Sequence, residues 1–405
     1  MVSAAALAVG LVTPGPASAA PEFETSAAVS QKSQASHISR IVRRTMKDDH
    51  LRAVIVRVTK GDKVIMTKAF GSSLSGVPAT PDMRFRNGAV AFAYVATLLM
   101  RFVDQGKVRL GDTVDRWMPG LPLSHKVTLK MLGNQTSGYP DYEEDPTFTT
   151  DYLRNPFQTF SFKERRKIAF SRPQLFPPGT NWSYSHTNFM VLGKILSKVG
   201  GKPLATLLRQ QVLRPMGLSS TVSSQTSQIP SPVLHSFSSE RRGFFAIPTN
   251  QRFYEESTSW NSAWGTPVGA TQTTDVYDLT RSADSIGSGS LLSRSSYRKM
   301  TGPHLLGFGK PQDNCVPECF RQVRGYNYGI GIVRSGRWLL QNPLLGGYSA
   351  AMATLPQRRI SIAVVATFRE GAFDADGNYP GNPSDAMWRL IGTYLAPNQA
   401  PPIKK

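Results

Sequence analysis

Three short stretches of the chain carry residue types that could support acyl transfer. Ser296-Tyr297-Arg298-Lys299 spells Ser-x-x-Lys, in which an amine one helical turn beyond a serine can hold its proton. It lies in a polar run just before Met300-Thr301 with no buried apolar helix behind it, so the match reads as chance. Gly287-Ser288-Gly289-Ser290 lacks the strand-turn-helix frame of a nucleophile elbow. Tyr184-Ser185-His186 sets a phenol, a hydroxyl and an imidazole side by side, and an imidazole titrates near neutral pH. His125, His235 and His304 stand in loop-like surroundings with no metal-ligand spacing, and no metal or cofactor is expected. The two cysteines, Cys315 and Cys319, are too few for a zinc site and are read as a loop disulfide formed in an oxidising compartment.

The elements that must position such groups follow from periodicity. Ile38, Ile41, Val42 and Met46 recur at helical spacing over residues 37–49. Residues 52–58 and 63–67 are rich in Val and Ile and flank Thr59-Lys60-Gly61-Asp62, which predicts a hairpin. Strand-like runs return at 328–334, 336–340, 349–355 and 359–367, and a helix over 384–395 closes the chain. Val90 to Val103 is apolar on nearly every face, which predicts a buried helix ended by Gly106, and Asn188 to Val199 predicts a second helix stopped by Gly200-Gly201. The fold class is therefore α+β: an antiparallel sheet assembled from both chain ends and flanked by helices, with a mainly helical second lobe inserted between them. Residues 1–19 read as a signal peptide with Ala17-Ser18-Ala19 as cleavage site, 20–36 as a linker, 37–396 as the domain and 397–405 as a tail. The sheet lobe is placed at about 37–110 and 300–396, and the helical lobe at about 111–299.

The chain has 405 residues, 40% of them hydrophobic, which excludes general disorder, and no apolar run reaches the ~20 residues of a membrane span. Its formal charge of +20 is concentrated in clusters such as Arg40 to Arg44 and Lys163 to Lys167. For an exported or envelope-associated protein the matching partners are anionic envelope polymers or lipid headgroups, and a soluble cationic surface without a dedicated partner is the plain alternative. Nucleic acid is disfavoured, because no zinc-finger or RNA-recognition signature is present.

Four dispersed stretches, in order, resemble the serine beta-lactamase, esterase and D-Ala-D-Ala peptidase family, especially its class C branch. Arg84-Phe85-Arg86-Asn87-Gly88 leads into the buried helix as the family's Phe-Arg-x-Gly-Ser does, and Phe102 to Val114 is similar to its helix exit and following loop. Leu132-Gly133-Asn134-Gln135-Thr136-Ser137-Gly138-Tyr139-Pro140 resembles Leu-Leu-x-His-Thr-Ser-Gly-Leu-Pro, and Phe176 to Asn188 resembles Phe-x-Pro-Gly-Thr-x-Phe-x-Tyr-Ser-Asn. The resemblance implies a beta-lactamase/transpeptidase-like fold over roughly residues 37–396 and makes Tyr184, His186, Tyr139, Asn134, Gln341 and Tyr348 candidates to line its cleft.

What the family needs for acyl transfer is missing at three places. Its serine and lysine, which share one helix face at i and i+3, align with Ala89 and Phe92; a methyl cannot attack a carbonyl and a phenyl cannot take a proton. Its Tyr-x-Asn becomes Tyr184-Ser185-His186, and its Lys-Thr-Gly strand falls at Gln341-Asn342-Pro343, without cation or glycine. The expectation is an exported pseudoenzyme whose cleft binds a peptidoglycan peptide or related amide without turnover. Two alternatives stay open: a hydrolase with a relocated nucleophile, for which Ser185 beside His186 is the local candidate, and a cationic envelope scaffold.

Overall fold

The computed structural model describes residues 26–403 apart from Gln225, Val316 and Pro380. The signal-like run 1–19 lies outside the described residues. The first helix, α1 (Ser26–Asp48), starts eleven residues earlier than its apolar periodicity does, because Ser26 to Ser36, read from sequence as linker, continues it. That run holds three Ala and two Gln, which are good helix formers, among four Ser, and Gln31 anchors it by donating from Nε2 to the Val64 carbonyl.

The hairpin β1 (Leu51–Lys60) and β2 (Lys63–Leu74) turns at Gly61-Asp62 and is followed by β3 (Val77–Pro78). The other strands come from the C-terminal quarter: β4 (Asn327–Tyr328), β5 (Val333–Ser335), β6 (Trp338–Gln341), β7 (Leu344–Leu345), β8 (Tyr348–Leu355) and β9 (Ile360–Phe368). They form one nine-stranded antiparallel sheet in the order β3-β2-β1-β9-β8-β6-β5-β4, with β7 paired to β8. The first and last strands, β1 and β9, meet at its centre, where Val56 lies opposite Val364.

Alternation along the central strands splits the core in two. Val54, Val56, Ile362 and Val364 pack with Ile38 and Val42 of α1 and with Met387 and Trp388 of the last helix. Ala53, Ile55, Ala363 and Val365 point the other way, into the core shared with the helical lobe. That lobe is built around α2 (Val90–Asp104), almost every residue of which is buried, as its all-round apolarity requires. Against α2 lie α3 (His186–Gly200) and α5 (Arg294–Thr301), while α4 (Val276–Ser288) covers the sheet; α6 (Pro383–Leu395) is the last helix. Gly331, at φ +63°, lets the chain before β5 press on α2: a Cβ there would stand 2.4 Å from the Ala96 Cβ and 2.6 Å from the Phe92 carbonyl oxygen. In α5, Ser296 is buried and donates to Asp104 Oδ1 at 2.6 Å, whereas Lys299 is exposed. That Ser-x-x-Lys is a tie between helices, not a catalytic pair.

Candidate functional site

A cavity of about 300 Å³ opens between the start of α2, the loop before α3 and the β6–β7 turn. Ala89 and Gly88 form one wall, Tyr184, His186 and Glu143 another, and Gln341-Asn342-Pro343 with Leu344 and Leu345 a third. Gly88 is required where it is: its φ is +45°, and a Cβ would come within 2.6 Å of Pro343 Cβ and 2.8 Å of Leu345.

Ala89 sits at the N-cap of α2 and makes no side-chain cap. Phe92, one turn on, is fully buried. Its ring stacks on Phe189 of α3 at 4.1 Å and 9°, and meets His186 edge-on at 5.6 Å and Tyr184 at 6.1 Å. The volume beneath Ala89 is therefore a sealed aromatic cluster, with no amine within it. Tyr184, also a cavity wall, has its phenol held well above its usual range by burial, with Tyr328, Tyr326, Glu143 and Asp141 pushing the same way. It stays a neutral hydroxyl, unsuited to serve as a phenolate base.

His186 is the first residue of α3, and the loop 134–145 fixes it there. Gln135 Oε1 accepts from the Ser185 amide at 3.1 Å and from Asn188 Nδ2 at 2.6 Å, and Thr187 Oγ1 donates to the Pro140 carbonyl at 2.7 Å. Asp141 Oδ2 receives both the backbone N–H of His186, at 3.0 Å, and its ring Nδ1, at 2.8 Å. Glu143 Oε1 lies 3.1 Å from the same Nδ1. Burial works against a charge on this imidazole, but Glu143 and Asp141 more than offset it and push His186 up to about 9. Burial likewise pushes Glu143 up to about 8, with His186 pulling the other way.

Asp141, Glu143 and His186 bring three ligand-type atoms within 4.8 Å of one another, the grouping among the described residues that could grip a metal ion. A metal would need Nδ1 free of its proton, which lies against Asp141 Oδ2 at 2.8 Å. The arrangement is chemically an imidazolium held on Asp141 with the Glu143 carboxyl beside it, and Nε2 is the ring atom turned away from them.

Of the residues singled out from the sequence, Ala89, Tyr184, His186 and Gln341 meet at this cavity, and Phe92 lies directly behind it. Gln341 is buried and donates from Nε2 to the Gly331 carbonyl at 2.9 Å. Tyr139, Asn134 and Tyr348 stand elsewhere. Tyr139 is buried against Phe170 and donates its hydroxyl to the Pro122 carbonyl. The Asn134 amide pairs with Thr136 within its own turn, and the Tyr348 hydroxyl donates to the Leu234 carbonyl. Ser185 is fully buried, its Oγ has no partner, and it does not line the cavity. Cys315 and Cys319 are joined by a disulfide.

Sequence reasoning missed Asp141 and Glu143, although the acidic run Asp141-Tyr142-Glu143-Glu144-Asp145 directly follows the Tyr139-Pro140 stretch that anchored the resemblance. It also missed Arg165. Read as part of a surface charge cluster, Arg165 is 1% exposed and donates from Nη1 to the Trp264 and Thr266 carbonyls at 2.8 and 2.7 Å, bracing the cavity wall that those residues form.

The beta-lactamase family model matches residues 38–382. Penicillin-binding protein 4 of Amycolatopsis lactamdurans is 32% identical over 149 residues, which are 36% of this chain and 37% of that protein. Penicillin-binding protein 4* of Bacillus subtilis is 24% identical over 190 residues, covering 44% of this chain and 39% of its own. The matched segment thus spans well under half of these relatives. Among solved structures, the D-amino acid amidase of Ochrobactrum anthropi SV3, complexed with L-phenylalanine amide, superposes with a TM-score of 0.71 at 18% identity over 90% of this chain and 99% of that one. The octameric penicillin-binding protein homologue of Pyrococcus abyssi gives 0.70 at 18% identity over 91% and 79%.

Proposed function

The chain belongs to the beta-lactamase family, and from that premise we propose that it is an exported, envelope-associated member that binds a small amide or cell-wall peptide in its cleft without forming an acyl-enzyme. The observation that carries this is the start of α2. A methyl lines the open cavity where the family's attacking hydroxyl belongs, and a ring stacked on Phe189 fills the place of the amine that would activate it. The cavity itself persists at about 300 Å³, the lower end of the range for small-molecule sites, which favours a ligand-binding role over a cleft packed shut around a scaffold. The relative named as penicillin-binding supports peptidoglycan-type peptides and amides as the ligand class. Export rests on the signal-like pattern of residues 1–19.

The relocated-nucleophile reading has no support in the geometry, because Ser185 is sealed and His186 spends its Nδ1 on Asp141. The test is incubation with a penicillin, nitrocefin and a p-nitrophenyl ester, followed by intact-protein mass spectrometry and absorbance. An unmodified mass and no hydrolysis above buffer are expected, with Ala89→Ser plus Phe92→Lys as the comparison. Wild-type turnover that disappears on changing His186→Ala would refute the reading.

A further inference from the structure

The cleft has a charge character opposite to that of the molecule around it. The chain carries 47 lysines and arginines, yet none is among the described residues that line the cavity. The charged side chains there are Glu143 and His186, and His186 turns its Nδ1 proton toward Asp141. The cation an anionic ligand would meet there is the His186 imidazolium, whose charge the Asp141 carboxylate already matches.

Glu143 is placed differently. Asp141 Oδ2 accepts two hydrogen bonds, whereas Glu143 has the His186 Nδ1 3.1 Å from Oε1 and no described group donating to Oε2. Oε1 is shut from solvent beside the imidazole, which leaves Oε2 as the oxygen the cavity reaches. The rings of Tyr184, Trp264 and Tyr326 line the same cavity, and an aromatic face attracts a cation as well as apolar surface. The charged groups facing Glu143 are His186, Asp141, Glu144 and Arg165, and Arg165 is committed to backbone carbonyls.

We infer that the occupant of this cleft carries a protonated amine seated on Glu143, in a cavity whose lining includes aromatic rings. This deepens the ligand-binding reading and rests on it. The amine supplies the donor that Oε2 lacks, in a charge-assisted hydrogen bond that a neutral group of the same shape cannot match. The long-range field of a +20 chain works against a cation, so a preference for one must come from the cleft itself.

Benzylamine, benzyl alcohol and benzoate are one ring with a cationic, a neutral and an anionic arm, and all are small enough for the cavity. Their affinities would be measured by ligand-observed NMR and calorimetry on the full chain at about pH 8.5, above the value to which burial raises Glu143, where its carboxylate is ionised. Benzylamine is expected to bind at least about tenfold more tightly than benzyl alcohol, with benzoate weakest. Glu143→Gln should bring benzylamine down to the level of the alcohol and leave the alcohol within about twofold. Wild-type protein that binds the alcohol or benzoate as well as the amine overturns the inference while leaving the ligand-binding reading intact, and so does a Glu143→Gln protein that keeps the preference. Should that variant fail to fold, the wild-type series decides alone. If none of the three binds, the ligand-binding reading falls together with the inference.

Discussion

Replacing Phe92 by an amine tests directly whether the site has closed to covalent chemistry. Phe92→Met conserves apolar volume and is expected to cost less than about 1.5 kcal/mol. Phe92→Lys loses the ring's burial, about 1.5–3 kcal/mol, and its stack on Phe189, about 0.5–1.5 kcal/mol, and recovers part of that through its methylene stem. Its ammonium is then the deciding quantity. The titratable groups whose rings meet Phe92 are a cationic His186 and a neutral Tyr184. The lysine escapes by giving up its proton, which at pH 7 costs about 4–5 kcal/mol, since about 3.4 pH units separate pH 7 from the free amine's value. The lysine variant should therefore be at least about 3 kcal/mol less stable than the methionine variant by urea unfolding at neutral pH. A lysine whose folded value is depressed regains stability as pH rises toward its unfolded value, so the gap should narrow by up to about 1.4 kcal/mol per pH unit. A lysine variant within about 1 kcal/mol of the methionine one, with no such narrowing, would show that the site still accommodates an amine and would refute the argument.

Two further outcomes follow from the same cluster. His186 is held at about 9 in the fold against 6.5 when unperturbed, so the stability it adds is complete below about pH 6.5 and is lost as pH climbs through about 9; Glu143, raised to about 8 from 4.5, acts with the same sign. Thermal midpoints should fall between those limits, and His186→Gln should make the slope shallower while leaving the part that Glu143 contributes; a midpoint that rises over the window would contradict the ion cluster. Gly88→Ala combines a positive φ with a 2.6 Å clash on Pro343, so it should cost about 1–3 kcal/mol and weaken ligand binding in the cleft by displacing the β6–β7 turn, which circular dichroism melts and NMR titration would check.

Much of this architecture is legible in the residues because its signals are local. The Val- and Ile-rich β1 and β2, the all-round apolar α2 and the Gly200-Gly201 stop each announce themselves within a few residues. α1 was underestimated at its start because its first turns lack an apolar stripe, and helix propensity with one tertiary anchor at Gln31 carries them. Ala89 and Phe92 were readable as substitutions because the segments around them keep a recognisable order. The clamp on His186 was not, since pairing with Asp141 depends on how a loop forty-five residues upstream folds back on α3. Arg165 was misread for a related reason: a cation inside a basic run looks solvated until the carbonyls that gather around it are known.

The pairing of Val56 with Val364 has a consequence for how the chain is made. β1 leaves the ribosome early with one hydrogen-bonding edge satisfied by β2 and the other bare, and it stays so until β9 arrives near the end of synthesis. During that interval an apolar strand exposes unpaired amides and carbonyls, a template for aggregation. Nucleation on contacts of such sequence separation is slow. Nascent chains stalled before residue 360 should thus depend on holdase chaperones, and those stalled beyond α6 should not.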